Sequence, residues 1–274
     1  MLLAINTLNL LLPVFYAAML VIYAIDFYND KISLPKTQRS VLLATLILHF
    51  SYIILRTLEF SHGPITNKFE IFTSIAFTLT LAYMIIEIVT GIRRTGLFII
   101  LFALLFQVFS SLFISPNYIV HEKLRNPLLG FHVITALLGQ SGLLISAVYG
   151  LLFILLYNRI KSHNFGSYFN KLPSLETLES MSFKALVIGY SILTVALIIG
   201  AIWLPIAFPN FTHYDPKLIS TTFIWLVYSF GITAKKFFRW YGKKVIYLSI
   251  VGFVIMIFSM ILTLVMKSSF HSFR

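Results

Sequence analysis

Residues 183–207 read FKALVIGYSILTVALIIGAIWLPIA, a run whose only charged residue is Lys184. About 20 apolar residues carry an α-helix across the hydrocarbon core of a bilayer, so this stretch is a transmembrane span. Seven more of the same kind flank it, at about 4–25, 41–58, 69–91, 96–115, 128–157, 218–234 and 245–266. The composition agrees: 59% hydrophobic and 11% charged, with a mean hydropathy of +0.91, against roughly 25% charged in a soluble domain. The expected architecture is an all-α integral membrane protein, one transmembrane domain over residues 1–274 built as a bundle of eight helices. The first span has no basic residue before it and no small-residue cleavage signal after it, so it is expected to be a retained helix and not a signal peptide.

Orientation follows from the basic residues. The connections 26–40, 92–95, 158–184 and 235–244 hold three, two, four and five Lys and Arg, 14 of the 21 in the chain. Basic residues collect on the cytoplasmic side of membrane proteins, which puts both termini outside. The formal charge of +12 resides largely in clusters that flank spans, such as Arg93-Arg94 and Lys235-Lys236, where cations anchor helices and meet anionic lipid. The partner implied is the bilayer, and nucleic acid is excluded. With no cysteine in the chain, disulfides, thiolate metal sites and thioether attachment of a cofactor to this chain are excluded as well.

In this topology His62, His121, His213 and His271 fall in outer connections or at the outer end of a span, and His132 lies about one turn inside span five. His163 is on the inner side and His49 is near the middle of span two. Neutral imidazole is the commonest side-chain metal ligand, and two helix-held imidazoles facing each other can ligate a haem iron from both sides. His132 and His271 are the candidates for that pair. Between spans six and seven, the outer loop from Trp203 to Lys217 carries Trp203, Phe208, Phe211, His213 and Tyr214. Such residues serve as interfacial belt residues or as an apolar floor for a porphyrin, and the proline-spaced pattern fits a fixed loop.

Several stretches together resemble the cytochrome c assembly proteins of the CcsA, CcmC and HemX type. Arg56 with Ser61-His62-Gly63-Pro64-Ile65-Thr66-Asn67-Lys68-Phe69-Glu70 is similar to a segment in which a small residue and proline precede Asn, an aromatic and Glu. Phe131-His132-Val133, with Ser141-Gly142 and Tyr149-Gly150, resembles the helix opened by the first outer haem-ligand histidine. Gly200-Ala201-Ile202-Trp203, Asp215-Pro216-Lys217 and Ile224-Trp225-Leu226-Val227-Tyr228 resemble the most recognisable part of the pattern, and Phe270-His271-Ser272-Phe273 resembles the second outer histidine.

The resemblance implies a multi-pass protein of a bacterial plasma (inner) membrane that binds haem b without covalent attachment. It holds or presents haem at the outer face, with His132 and His271 as iron ligands and Trp203, Phe208, Phe211, His213, Tyr214 and Asp215 around the macrocycle. Apocytochrome c and a partner membrane subunit are the implied partners. The chain departs from the pattern twice. His213-Tyr214 stands ahead of Asp215 where haem-transferring members carry a Trp pair, and Phe230-Gly231-Ile232-Thr233-Ala234 occupies the place of a membrane-buried histidine in span seven. Both departures point toward the HemX-like branch, whose implied role is to regulate or stabilise an enzyme of haem synthesis. They also point to a binding component and not to an enzyme acting alone. A secondary transporter unrelated to haem is a third reading, for which internal repeats and broken mid-membrane helices are the expected signs.

Three polar features remain. His49 is a weak candidate for an inner haem ligand; the expected alternative is a hydrogen bond to a neighbouring helix, at Gln107 or Gln140, as polar residues in bundles commonly make. Glu70 and Asp215 are candidates to orient a ligand histidine, although Asp215-Pro216 also reads as a helix start, and Glu87 is expected to pair with Arg93 or Arg94. In the inner connection, Leu175 and Leu178 with acids between them suggest a short amphipathic helix lying on the membrane surface. A nucleotide-binding glycine loop and a His-Glu-x-x-His zinc pattern are both absent.

Overall fold

The computed structural model describes residues 1–29, 34–115, 126–163, 171–207 and 216–265. Among them are eight α-helices and no strand: α1 (Leu2–Tyr28), α2 (Pro35–Phe60), α3 (Lys68–Thr90), α4 (Gly96–Phe113), α5 (Pro127–Lys161), α6 (Leu175–Ala207), α7 (Pro216–Phe237) and α8 (Lys243–Val265). Helices α1 to α7 are long and apolar enough to cross a membrane. With 23 residues, α8 rises about 35 Å and occupies the eighth expected span.

Helix starts are set by local chemistry. Pro35, Pro127 and Pro216 each open a helix, where the missing N–H costs nothing and the fixed φ is already helical. Asn67 caps α3, its Oδ1 accepting from the N–H groups of Phe69 and Glu70, each at 3.0 Å. Gly91 closes the same helix at φ +69°, a conformation that favours glycine because it has no Cβ.

Two compact units divide the chain, Met1–Leu138 and Gly139–Arg274. In the first, α1 packs on α2 and α4, and α3 on α4 and α2. The inward face of α1 repeats at near-heptad spacing through Ile5, Leu12, Met19 and Phe27, with Tyr16 and Tyr23 beside them. Its other side shows Leu3, Leu10, Val14 and Val21, the kind of surface that lipid tails solvate as well as a protein core does.

In the second unit, Leu143, Leu186, Leu193, Ile224, Tyr228 and Met256 form one core. Helices α5 and α6 approach backbone to backbone at Gly139, Gly142 and Gly189: a Cβ on Gly189 would stand 2.8 Å from the carbonyl oxygen of Gly139 and 2.9 Å from the amide nitrogen of Leu143. Small residues permit such an approach, and dispersion with interhelical hydrogen bonds then holds it. The bonds are supplied by Ser146, whose Oγ lies 2.6 Å from Ser249 Oγ and 3.1 Å from Ser182 Oγ, all three side chains buried.

One expectation is corrected. No separate amphipathic helix lies on the membrane surface at 175–179; these residues are the first turns of α6, a continuous helix of 33 residues. Ser174 starts it by accepting from the Thr177 N–H at 3.2 Å. Glu179 is satisfied within the unit, by Lys235 Nζ at 2.7 Å and the Gly242 N–H at 2.9 Å. With those partners its charge requires neither a break in the helix nor a separate surface segment.

Candidate functional site

Asn126 and Pro127 position His132. Asn126 Oδ1 accepts from the Leu128 N–H at 2.8 Å, capping α5, and His132 follows on the second turn, partly exposed beside the exposed Phe131. Thr135 Oγ1 donates to the carbonyls of Phe131 at 2.6 Å and His132 at 3.0 Å, tying down the backbone that carries the imidazole. A histidine held on a capped helix start is suited to presenting a ring nitrogen to a metal centre. The proposed partner His271 lies outside the described residues, as do His121, Phe208, Phe211, His213, Tyr214 and Asp215.

Trp203 is described, and at 3% exposure it is buried within the second unit. Close by in sequence, the end of α6 and the start of α7 enclose an apolar groove of about 690 Å³ lined by Ala201, Leu204, Pro205, Leu218, Ile219 and Phe223. That size is within the roughly 300–1,000 Å³ of small-molecule sites. The aromatic segment 208–215 joins these two helices in sequence. Farther along the same pair of helices, Trp225 Nε1 donates to Thr194 Oγ1 at 2.9 Å and its ring stacks on Tyr190 at 5.6 Å. A mostly apolar floor of this kind and a helix-held imidazole are chemically suited to a porphyrin and its iron, respectively. No group of three His, Cys, Asp or Glu able to hold a bare metal ion occurs among the described residues.

His49 is fully buried in the first unit with both ring nitrogens engaged. Nδ1 lies 3.0 Å from the Tyr16 hydroxyl and Nε2 2.9 Å from Thr73 Oγ1. Thr73 in turn donates to Gln107 Oε1 at 2.9 Å, and Gln107 Nε2 donates to Ser111 Oγ at 3.0 Å. Because the one Thr73 proton goes to Gln107, a neutral ring carries its proton on Nε2, and the Tyr16 hydroxyl, 3.0 Å from Nδ1, has the Ala76 carbonyl at 3.2 Å as a second acceptor. The chain joins α1, α2, α3 and α4 and reaches Gln107 through Thr73. For His49 to ligate a metal, one of these bonds has to open. At the place of the absent span-seven histidine, Gly231 is closely covered by the side chain of Leu248.

The family-like segment 56–70 forms a second polar centre in the first unit. Arg56 Nη2 donates to Glu70 Oε1 and to the Ser115 carbonyl, each at 2.8 Å. Glu70 Oε2 accepts from the Thr66 N–H at 2.9 Å and from Thr66 Oγ1 at 2.6 Å. Glu70 is therefore bound to Arg56 and Thr66, and no bond to a histidine is seen among the described residues. His62 is buried, with Nδ1 2.8 Å from the Gly63 carbonyl oxygen. As expected, Glu87 pairs with Arg93 at 3.4 Å; it also accepts from the Tyr23 hydroxyl at 2.6 Å. Sequence reasoning missed Tyr16 and Thr73 as the partners of His49 and Arg56 as that of Glu70. The one signal available was an arginine within the last turns of an apolar span, a residue that requires a partner.

A family model for the cytochrome C assembly protein matches residues 34–271. Similar relatives include three proteins named cytochrome c biogenesis protein CcsA. That of Guillardia theta is 24% identical over 219 residues, 73% of either chain. That of Parasynechococcus marenigrum (strain WH8102) is 27% identical over 250 residues, 80% of this chain and 79% of its own. That of Prochlorococcus marinus (strain NATL1A) is 25% identical over 291 residues, 93% of this chain and 90% of its own.

Proposed function

The chain belongs to the cytochrome c assembly protein family, and from that membership we propose that it is a haem-binding membrane protein of cytochrome c biogenesis. It holds or presents non-covalent haem b at the outer face, with His132 and His271 as the two axial ligands. The observation that carries this reading is the extent of the family match, which runs from residue 34 to His271 itself and so takes in both imidazoles. The capped start of α5 supports it, because it gives His132 a fixed and partly exposed position.

Haem, when bound, supplies the vinyl groups that form thioethers on a cysteine-bearing partner. This chain has no cysteine, so its own part is binding and orientation. Trp203, Phe208, Phe211, His213, Tyr214 and Asp215, in and before the connection between α6 and α7, are assigned to the outer cover of the macrocycle. The partners that follow are apocytochrome c and a membrane subunit of the same assembly system, in the plasma membrane of a bacterium or an equivalent energy-converting membrane.

The test is an absorption spectrum of the detergent-purified protein from haem-replete cells, repeated for the Phe208→Ala/Phe211→Ala double variant. Wild type is expected to show a low-spin haem spectrum, and the double variant to retain less haem while its helix content is unchanged. Failure of the wild-type protein to bind haem, as isolated and after addition of hemin, would overturn the reading. A second reading is favoured by His213-Tyr214 standing where haem-transferring members have a Trp pair: a HemX-like protein that acts on an enzyme of haem synthesis. Haem transfer to a cysteine-containing apocytochrome in a reconstituted system separates the two readings.

A further inference from the structure

The end of the second unit where α5 and α7 finish and α6 and α8 begin is strongly basic. Among the described residues of 158–179 and 235–244 there are eight Lys and Arg against two Glu. Glu179 is committed to Lys235 and to the Gly242 N–H. Lys243 is also placed, its Nζ 3.6 Å above the centre of the Tyr157 ring. These two contacts tie α7 to α6 and α8 to α5 at the end of the unit that carries the cations. Lys236, Arg239 and Lys244 are exposed and in no ion pair among the described residues. Between them stand Phe237, Phe238 and Tyr241, exposed at 72%, 65% and 63%.

We propose that this surface binds the headgroup phosphates of anionic phospholipids, with Lys236, Arg239 and Lys244 as the phosphate-binding cations and Phe237, Phe238 and Tyr241 anchored in the acyl boundary. Its height on the helices selects this ligand over a nucleic acid or an acidic protein. The cations lie within about one turn of the apolar lengths of α7 and α8, at headgroup level, and the exposed aromatic rings leave water only if they enter lipid. The site involves neither haem nor the proposed ligands His132 and His271.

The experiment is a native mass-spectrometric titration of the detergent-purified full chain with phosphatidylglycerol and, separately, phosphatidylcholine. Wild type is expected to bind phosphatidylglycerol the more tightly. A basic residue near an anionic surface contributes about fivefold in affinity, so Lys236→Gln/Arg239→Gln/Lys244→Gln should lower phosphatidylglycerol affinity on the order of 100-fold. The charge-preserving variant Lys236→Arg/Arg239→Lys/Lys244→Arg should keep wild-type affinity. An unchanged melting midpoint of the Gln variant in phosphatidylcholine nanodiscs shows that it folds. Equal wild-type affinity for the two lipids, or equal phosphatidylglycerol affinity in wild type and a folded Gln variant, would overturn the proposal. So would tighter binding of an oligonucleotide or a polyglutamate peptide than of phosphatidylglycerol.

Discussion

Arg56 and Glu70, 14 residues apart in sequence, form a buried ion pair at 2.8 Å that joins the end of α2 to the first turn of α3. A second bond from Arg56 to the Ser115 carbonyl adds the end of α4. Three helix ends of the first unit therefore depend on one guanidinium. A buried charge without its partner destabilises by roughly 3–5 kcal/mol, whereas replacing both partners is much less harmful.

Arg56→Met is accordingly expected to lower stability by about 3–5 kcal/mol, and Arg56→Met/Glu70→Gln to recover part of the loss. Recovery is incomplete because Ser115 and Thr66 also lose partners. Unfolding midpoints of the three proteins in mixed micelles check this, with equal midpoints for the single and double variants as the contrary result.

His49 holds Tyr16 and Thr73 together from the middle of α2. Removing its ring takes one hydrogen bond from each of two buried hydroxyls, which keep Ala76, Thr80 and Gln107 as partners, at about 0.5–1.5 kcal/mol for each bond lost, and leaves a cavity besides. His49→Ala should therefore destabilise the protein while leaving the haem spectrum of refolded material unchanged. Haem loss with an unchanged unfolding midpoint would instead make His49 a ligand.

Gly189→Ala and Gly150→Ala separate close backbone approach from ordinary packing. A Cβ on Gly189 meets backbone atoms of α5 at 2.8 and 2.9 Å, whereas one on Gly150 meets only the Ile250 side chain at 3.1 and 3.4 Å and Ile246 at 3.5 Å. Backbone cannot yield as a side chain can, so Gly189→Ala should destabilise by about 1–3 kcal/mol. Gly150→Ala should be neutral or slightly stabilising, since alanine favours helix over glycine by about 1 kcal/mol. Thermal melts of the two variants provide the comparison.

The number of helices was legible in hydropathy alone, because a bilayer imposes a length and a polarity that any sequence window registers. Their ends were less so. Span five was expected to end at 157 and α5 continues to Lys161; span six was expected to begin at 183 and α6 begins at Leu175. Polar residues read as loop, yet Glu179 stays helical because Lys235, 56 residues away, neutralises it. The site divides in the same way. The order of motifs revealed the family, and a mid-span histidine announced the need for a partner. Which helix supplies that partner depends on the rotation of each helix about its axis, which a weakly amphipathic apolar span does not encode. Hence Gln107 was reached only through Thr73.

Topology carries the fourth expectation. From the excess of basic residues in alternate connections, both termini are expected outside. Alkaline phosphatase fused after Arg274 should therefore be active, and a green fluorescent protein fused there after export should be dark. A fluorescent fusion would move His271 to the inner side and end the idea of a common outer site.

The His132 and His271 pair is the most demanding expectation. α8 begins at Lys243, beside the basic end of its unit, and its 23 residues rise about 35 Å, enough to cross the hydrocarbon core; His271 follows it in sequence. His132 starts near the beginning of α5, whose end carries Arg159 and Lys161, so on its own helix it lies far from the basic end. If both nitrogens reach one iron, the haem is six-coordinate and low-spin, with no axial position open to oxygen. His132→Ala and His271→Ala should each give a five-coordinate spectrum, and added imidazole should restore the six-coordinate one by filling the vacated position. His163→Ala, two residues beyond the end of α5 and on the expected inner side, should leave the spectrum unchanged. Identical haem spectra for wild type, His132→Ala and His271→Ala would remove both residues from the iron, whatever else binds the porphyrin.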